Sequence, residues 1–126
     1  MKISLDIRYR DLDTLGHVNN AVYLTYFEYA RLKIFHDWFT GENEPDFVIA
    51  RAEVDFIKPI FIGRVEVDVK VVHIGNTSFT LEYEILNEQG EICARGKTVQ
   101  VLVDPQNGEK IRIEGERKMY LEELME

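Results

Sequence analysis

Residues 10–31 read RDLDTLGHVNNAVYLTYFEYAR, and two rhythms meet within them. The half up to Asn20 is polar and rich in residues that make turns and helix caps. From about Ala21 to Phe39 the apolar residues fall at helical spacing: Tyr23, Phe27, Ala30, Ile34 and Trp38, flanked by Leu24, Tyr26 and Phe35. Side chains three and four apart share one face of a helix, so this set forms a broad apolar stripe. Glu28, Arg31, Lys33 and Asp37 interrupt it. Asn19 or Asn20 can cap the start and Gly41 suits the end. The spacing predicts one long helix.

On both sides of this helix the period is two. Ile3, Leu5, Ile7 and Tyr9 share one face and Ser4, Asp6 and Arg8 the other, which predicts a half-buried strand. After the GENEP turn, Ala50, Ala52, Val54 and Phe56 oppose Arg51, Glu53 and Asp55, and Pro59 limits the strand. Val65, Val67, Val69 and Val71 oppose Glu66, Asp68 and Lys70. A GNTS turn leads to Phe79, Leu81, Tyr83 and Ile85, and an NEQG turn leads to a last strand over about 91–104. In that strand the apolar phase shifts from Ala94 and Gly96 to Val99, Val101 and Val103, which predicts a bulge. Asn107-Gly108 marks a further hairpin, and residues 116–126 form a short amphipathic helix.

The order is strand, long helix, then four strands joined mostly by short turns, which predicts an antiparallel meander. The fold class is α+β: a long central helix on a five-stranded antiparallel sheet, with a short C-terminal helix. The helix must cover the apolar face of the sheet. One helix cannot easily cover five strands, so pairing with a second copy is expected.

A length of 126 residues suits one domain over 1–126. Lysine and arginine number 15 against 23 acids, a formal charge of −8, which argues against nucleic-acid or anionic-membrane surfaces. No segment approaches the ~20 apolar residues of a membrane span. The charged start MKISLDIRYRD lacks a signal-peptide core, and the lone Cys93 allows no internal disulfide, so a cytoplasmic setting is expected.

Together with the element order, Asp13, the Gly16-His17-Val18-Asn19-Asn20 run, Tyr23 and Glu28-x-Ala30-Arg31 resemble the hotdog-fold acyl-CoA thioesterases related to 4-hydroxybenzoyl-CoA thioesterase, closest to the fatty acyl-CoA branch. Weaker agreement continues through EVDFIKPIFIG and GNTSFTLEYEI. The resemblance implies a helix wrapped by the sheet, a homodimer joined edge to edge and further paired as a dimer of dimers, and a site at the dimer interface. It implies Asp13 as the carboxylate acting on the thioester carbonyl, as base for water or as nucleophile. Backbone N–H groups around Asn19 to Ala21 would polarise that carbonyl, with His17, Asn19 and Asn20 positioning substrate. No cofactor is implied.

The chemistry is sound from the residues alone. Thioester attack develops negative charge on the carbonyl oxygen, and a helix N-terminus offers unpaired N–H donors. Thiolate leaves readily, so the absence of a Ser-His pair is no obstacle. Without the resemblance, Asp13 reads as an Asx-turn residue. Asp11 reads as structural, and His17 equally well as a loop histidine bonded to backbone. Asp11, Asp13 and His17 make a poor metal set with no fourth ligand, and a metal is set aside. The coenzyme A phosphates need cations; Lys58, Arg64 and Lys97 are candidates, although scattered strand charges are usually a solvated face.

Two other functions share the fold. A dehydratase or hydratase would need a catalytic histidine on or near the central helix, and neither His36 nor His73 is well placed. A non-catalytic module would bind an acyl ligand without turning it over. Acyl carrier protein thioesters remain open as substrates.

Overall fold

The computed structural model describes residues 1–36 and 46–125. Trp38, Phe39, Gly41 and the GENEP turn lie outside the described residues. Strand β1 (Lys2–Asp6) is followed by a 3-10 turn (Tyr9–Asp11) and helix α1 (Val22–Ile34). Strands β2 (Asp46–Phe56), β3 (Arg64–Ile74), β4 (Ser78–Leu86) and β5 (Ile92–Val103) follow, then helix α2 (Gly115–Glu123). All pairs in the five-stranded sheet are antiparallel, in the order β1-β3-β4-β5-β2.

That order corrects the simple meander. Strands β3, β4 and β5 do form one, but β2 pairs with β5 on the far edge and not with β3. The link between β2 and β3, residues 57–63, is long enough to cross the end of the sheet, whereas a tight turn would force adjacency. Its passage places Ile60 in the core, 2% exposed.

Helix α1 buries Tyr23, Tyr26, Phe27, Ala30, Arg31 and Ile34 against the sheet. The facing strand residues are those the alternation selects: Val65, Val67, Val69 and Val71 of β3, and Phe79, Leu81, Tyr83 and Ile85 of β4. Helix α2 seats Leu121 in the core, and Tyr120 donates its hydroxyl to the Ile34 carbonyl.

Three further expectations need correcting. Tyr9 leaves the buried face of β1 and is 87% exposed, because the Asp11 carboxylate accepts the Arg8 N–H and turns the chain into the 3-10 turn. The apolar phase of β5 does not shift at Val99. Ala94, Thr98, Gln100 and Leu102 all face inward, and the irregularity lies at Cys93, where Ile85 pairs with Ala94 but Leu86 with Ile92. Finally, β2 is longer than the alternation suggested and slips register between Ile49 and Arg51.

A single helix covers β2 only in part, with Phe47 and Val54 packed against the core. On its inner face Phe56 is 51% and Ile49 40% exposed, although both are large and apolar.

Candidate active site

The loop from Asp11 to Val18 is folded back on itself. Asp13 donates its N–H to the His17 carbonyl (2.8 Å), and Leu12 bridges Val18. Gly16 occupies φ +80°, a left-handed conformation that favours glycine, at the tip of this loop. Oδ1 of Asp13 accepts the N–H groups of Leu15 (2.9 Å) and His17 (3.2 Å). The Asx-turn reading of Asp13 is therefore correct for one oxygen. Its other oxygen, Oδ2, has no protein donor among the described residues.

Two buried anchors hold the loop. Val18 donates its N–H to the Ile60 carbonyl at 2.8 Å, tying the loop to the segment that crosses between β2 and β3. Asp11, 2% exposed, accepts from the Arg8 N–H (3.0 Å), the Arg8 guanidinium (3.0 and 3.2 Å) and the Tyr26 hydroxyl (2.9 Å). Burial alone would push this carboxyl up; the Arg8 amide, the Arg8 guanidinium and the Tyr26 hydroxyl together hold it below the usual carboxylate range. The same contact and burial push the Tyr26 phenol well up. Asp11 is thus structural, and its carbonyl accepts the Asn19 N–H (2.9 Å) at the start of the helix.

Three of the amides entering α1 are occupied. Asn19 donates to Asp11, Ala21 to the Asn19 side chain (2.9 Å) and Val22 to the Asn19 carbonyl (2.9 Å). Among the described residues, the Asn20 N–H has no acceptor. Asn19 is the capping side chain, and Asn20 supplies a free donor next to the positive end of the helix dipole.

Asp13 and Asn20 line one cleft of about 230 Å³, with His17, Val18 and Tyr23 on the same side. The opposite wall is Phe56, Ile57, Lys58 and Pro59 from the end of β2. Tyr23 meets Phe56 edge-on at 4.9 Å, and the His17 ring meets Phe61 at 4.9 Å. Asp13, Asn20 and one lysine therefore share a cleft walled in part by aromatic and aliphatic side chains. That set can position water or a nucleophile against a polarised carbonyl.

Of the three candidate phosphate-binding cations, the fold brings only Lys58 to this cleft, where it pairs with the exposed Glu91. Arg64 pairs with Asp6 where β1 meets β3 (3.1 Å). Lys97 lies on the outer face of the sheet beside Glu82 (3.7 Å), in a larger cleft of about 330 Å³ lined by alternating charges. That larger cleft holds neither Asp13 nor a free helix amide, so its size is no guide to the chemistry. Phe56, Ile57 and Pro59 were not singled out from sequence as site residues, since only the crossing of the chain at the sheet end sets them against Asp13.

Residues 7–124 match the family model described as the thioesterase-like superfamily. The chain belongs to that superfamily. Among similar thioesterases, the long-chain acyl-CoA thioesterase FadM of Escherichia coli is 25% identical over 132 residues, covering 99% of this chain and 99% of that protein. A thioesterase from Thermus thermophilus, solved with coenzyme A and zinc, is 37% identical with a TM-score of 0.85, covering 98% of this chain and 93% of that one. The structure of a predicted thioesterase from Bacillus stearothermophilus superposes with a TM-score of 0.89 at 30% identity, covering 98% of this chain and 94% of that one. The hotdog architecture of the superfamily is the architecture seen here. No helix among the described residues is long and apolar enough to cross a membrane.

Proposed function

We propose that this chain hydrolyses fatty acyl-CoA thioesters to the free acid and coenzyme A, with Asp13 as the acting carboxylate. The observation that supports this reading is that Asp13, whose Oδ2 has no donor among the described residues, and Asn20, whose N–H has no acceptor among them, line one cleft. Acyl-CoA hydrolysis follows from membership of the thioesterase superfamily. The fatty preference rests on the similarity to FadM over nearly all of both chains.

In this reading the thioester carbonyl oxygen sits at the Asn20 N–H. That donor and the helix dipole stabilise the oxyanion as it develops; one such donor is typically worth ~10²–10³ in rate. Asp13 acts from the other side of the carbonyl carbon, as base for water or as nucleophile. Its Oδ1 is held by two loop amides, so Oδ2 is presented in a fixed direction. The thiolate departs without a strong general acid. Lys58 at the rim is the cation best placed for a coenzyme A phosphate.

The working unit is a homodimer joined along the free edge of β2. That edge is eleven residues long and carries exposed Val48 and Ile49, a surface that monomers usually blunt. A partner there would also cover Phe56 and Ile49, the exposed part of the inner face of β2. Further pairing as a dimer of dimers, a cytoplasmic setting and one domain over 1–126 complete the reading.

The test is thiol release by the native protein and by Asp13→Asn across acyl-CoAs from acetyl to palmitoyl, with benzoyl and phenylacetyl thioesters alongside. Turnover that peaks on aliphatic chains and collapses in the variant supports the reading. Turnover that survives in Asp13→Asn removes Asp13 from the mechanism.

A further inference from the structure

The proposed oxyanion donor stands at the entry to helix α1 and the proposed carboxylate in the loop before it, so their separation is set by whatever joins the two elements. The loop is closed within itself by the Asp13 N–H on the His17 carbonyl (2.8 Å) and by the bridge from Leu12 to Val18. Its base is closed by the Asn19 N–H on the Asp11 carbonyl (2.9 Å). Val18 ties it to the opposite wall at Ile60 (2.8 Å).

Tyr26 supplies the join on the helix side. Side chains on a helix lean toward its N-terminus, which is where this loop lies. Tyr26, 4% exposed and about one turn in from Val22, reaches back and donates its hydroxyl to Asp11 Oδ2 at 2.9 Å. Further along the same helix Arg31 donates to the Tyr83 hydroxyl at 3.0 Å, which fastens the helix to β4 and not to the loop.

Asp11 connects with both halves of the proposed machinery. It stands two residues before Asp13, and its carbonyl holds Asn19, the neighbour of Asn20. Arg8 completes the carboxylate's partners through its N–H (3.0 Å) and its guanidinium (3.0 and 3.2 Å). Neither Tyr26 nor Asp11 lines the cleft, so neither is placed to touch substrate. A core that needed only volume would be served by phenylalanine against an apolar residue, because a buried hydroxyl and a buried carboxylate are costly unless paired. Apolar packing fills space, whereas a hydrogen bond also fixes distance and direction.

We propose that Tyr26 is a positioning residue: through its bond to Asp11 it fixes the Asp13 carboxylate relative to the Asn20 N–H, and so supports turnover without contacting substrate. The inference rests on the thioesterase reading and adds a residue to its machinery. Two reacting groups on separate elements lose rate steeply when their geometry loosens, by as much as ~10²-fold for a displacement of about 1 Å.

Tyr26→Phe removes one oxygen and keeps the ring. On the acyl-CoA that the native protein turns over fastest, the variant is expected to lose about tenfold or more in kcat, with KM within about twofold of native. In the Asp13→Asn background the same change is expected to cost less than about threefold, because a hydroxyl that acts through Asp13 has nothing left to position. Should Tyr26→Phe fail to fold, Asp11→Asn gives the same comparison. A kcat that Tyr26→Phe leaves intact, or a loss of equal size in both backgrounds, overturns the proposal. Amide hydrogen exchange reads the loop without turnover. The Asp13 and Asn19 N–H groups are expected to exchange about tenfold faster in Tyr26→Phe, with the amides of β4 unchanged. If the native protein cleaves no acyl-CoA, the thioesterase reading fails. Faster exchange at those two amides then still upholds Tyr26 as the positioning residue of the loop, and unchanged exchange overturns that as well.

Discussion

The ring of Phe27 fills the space above Gly96: a Cβ built on that glycine would come within 2.3 Å of the ring and 3.2 Å of the Glu53 carbonyl. Helix α1 can lie this close to β5 only because the strand has no side chain there. The same contact holds the helix, whose start carries Asn20 beside the loop of Asp13, close to the sheet. Gly96→Ala is therefore expected to destabilise the protein by about 2 kcal/mol, the usual cost of overpacking a core. Thermal unfolding measures it, and an unchanged Tm would show that the helix moves freely over the sheet.

The Asn20 N–H and the Asn20 side chain can be separated. Asn20→Pro removes the backbone donor, and Asn20→Ala removes only the amide side chain. The proline variant is expected to lose ~10²–10³ in kcat, and the alanine variant far less. Equal losses in steady-state assays would move the oxyanion role from the backbone to the side chain.

Asp13→Asn keeps the size and the two loop hydrogen bonds of Asp13 but removes the charge at Oδ2. A loss of about 10²–10⁴ in kcat is expected, in the range of a general base. Circular dichroism of the variant should match the native protein, because Oδ1 still accepts from Leu15 and His17.

Asp11 predicts a pH-dependent stability with a definite sign. Its folded pKa is depressed, so its contribution is present above the unfolded carboxylate range and is lost as pH falls through the folded value. At neutral pH Asp11→Asn should cost about 2 kcal/mol, the worth of hydrogen bonds to a buried charge. At acid pH, where the native Asp11 is itself protonated, native and variant should converge. Denaturant titrations at several pH values measure this, and a constant difference would rule out the carboxylate as its source.

Val48 and Ile49 stand side by side on the free edge strand, 52% and 40% exposed. Changing both to aspartate should give a monomer in sedimentation velocity if the dimer forms along β2. A native protein that already sediments as a monomer would refute the edge-to-edge pairing.

Much of this molecule is written in local pattern. The period of 3.6 in Tyr23, Phe27, Ala30 and Ile34 and the period of two in Val65–Val71 and Phe79–Ile85 are properties of adjacent residues, and the strands form where their period places them, while the helix starts as expected but ends at Ile34, short of the expected span to Phe39. The segment around Asp13 was legible for the same reason, because a turn, a cap and a helix start are contiguous in the chain. Tertiary structure decided the rest. Strand β2 pairs with β5 and not β3 because a link of residues 57–63 can span the sheet end, and alternation is blind to which neighbour a strand takes. That choice sets Phe56 and Lys58 across from Asp13. Polar Thr98 and Gln100 point inward because the register of β5 against β4 holds through them, against the hydrophobic preference of their neighbours Val99 and Val101. Local pattern follows from the backbone's own geometry, whereas strand order and the company kept by a buried Arg31 depend on residues far away in sequence.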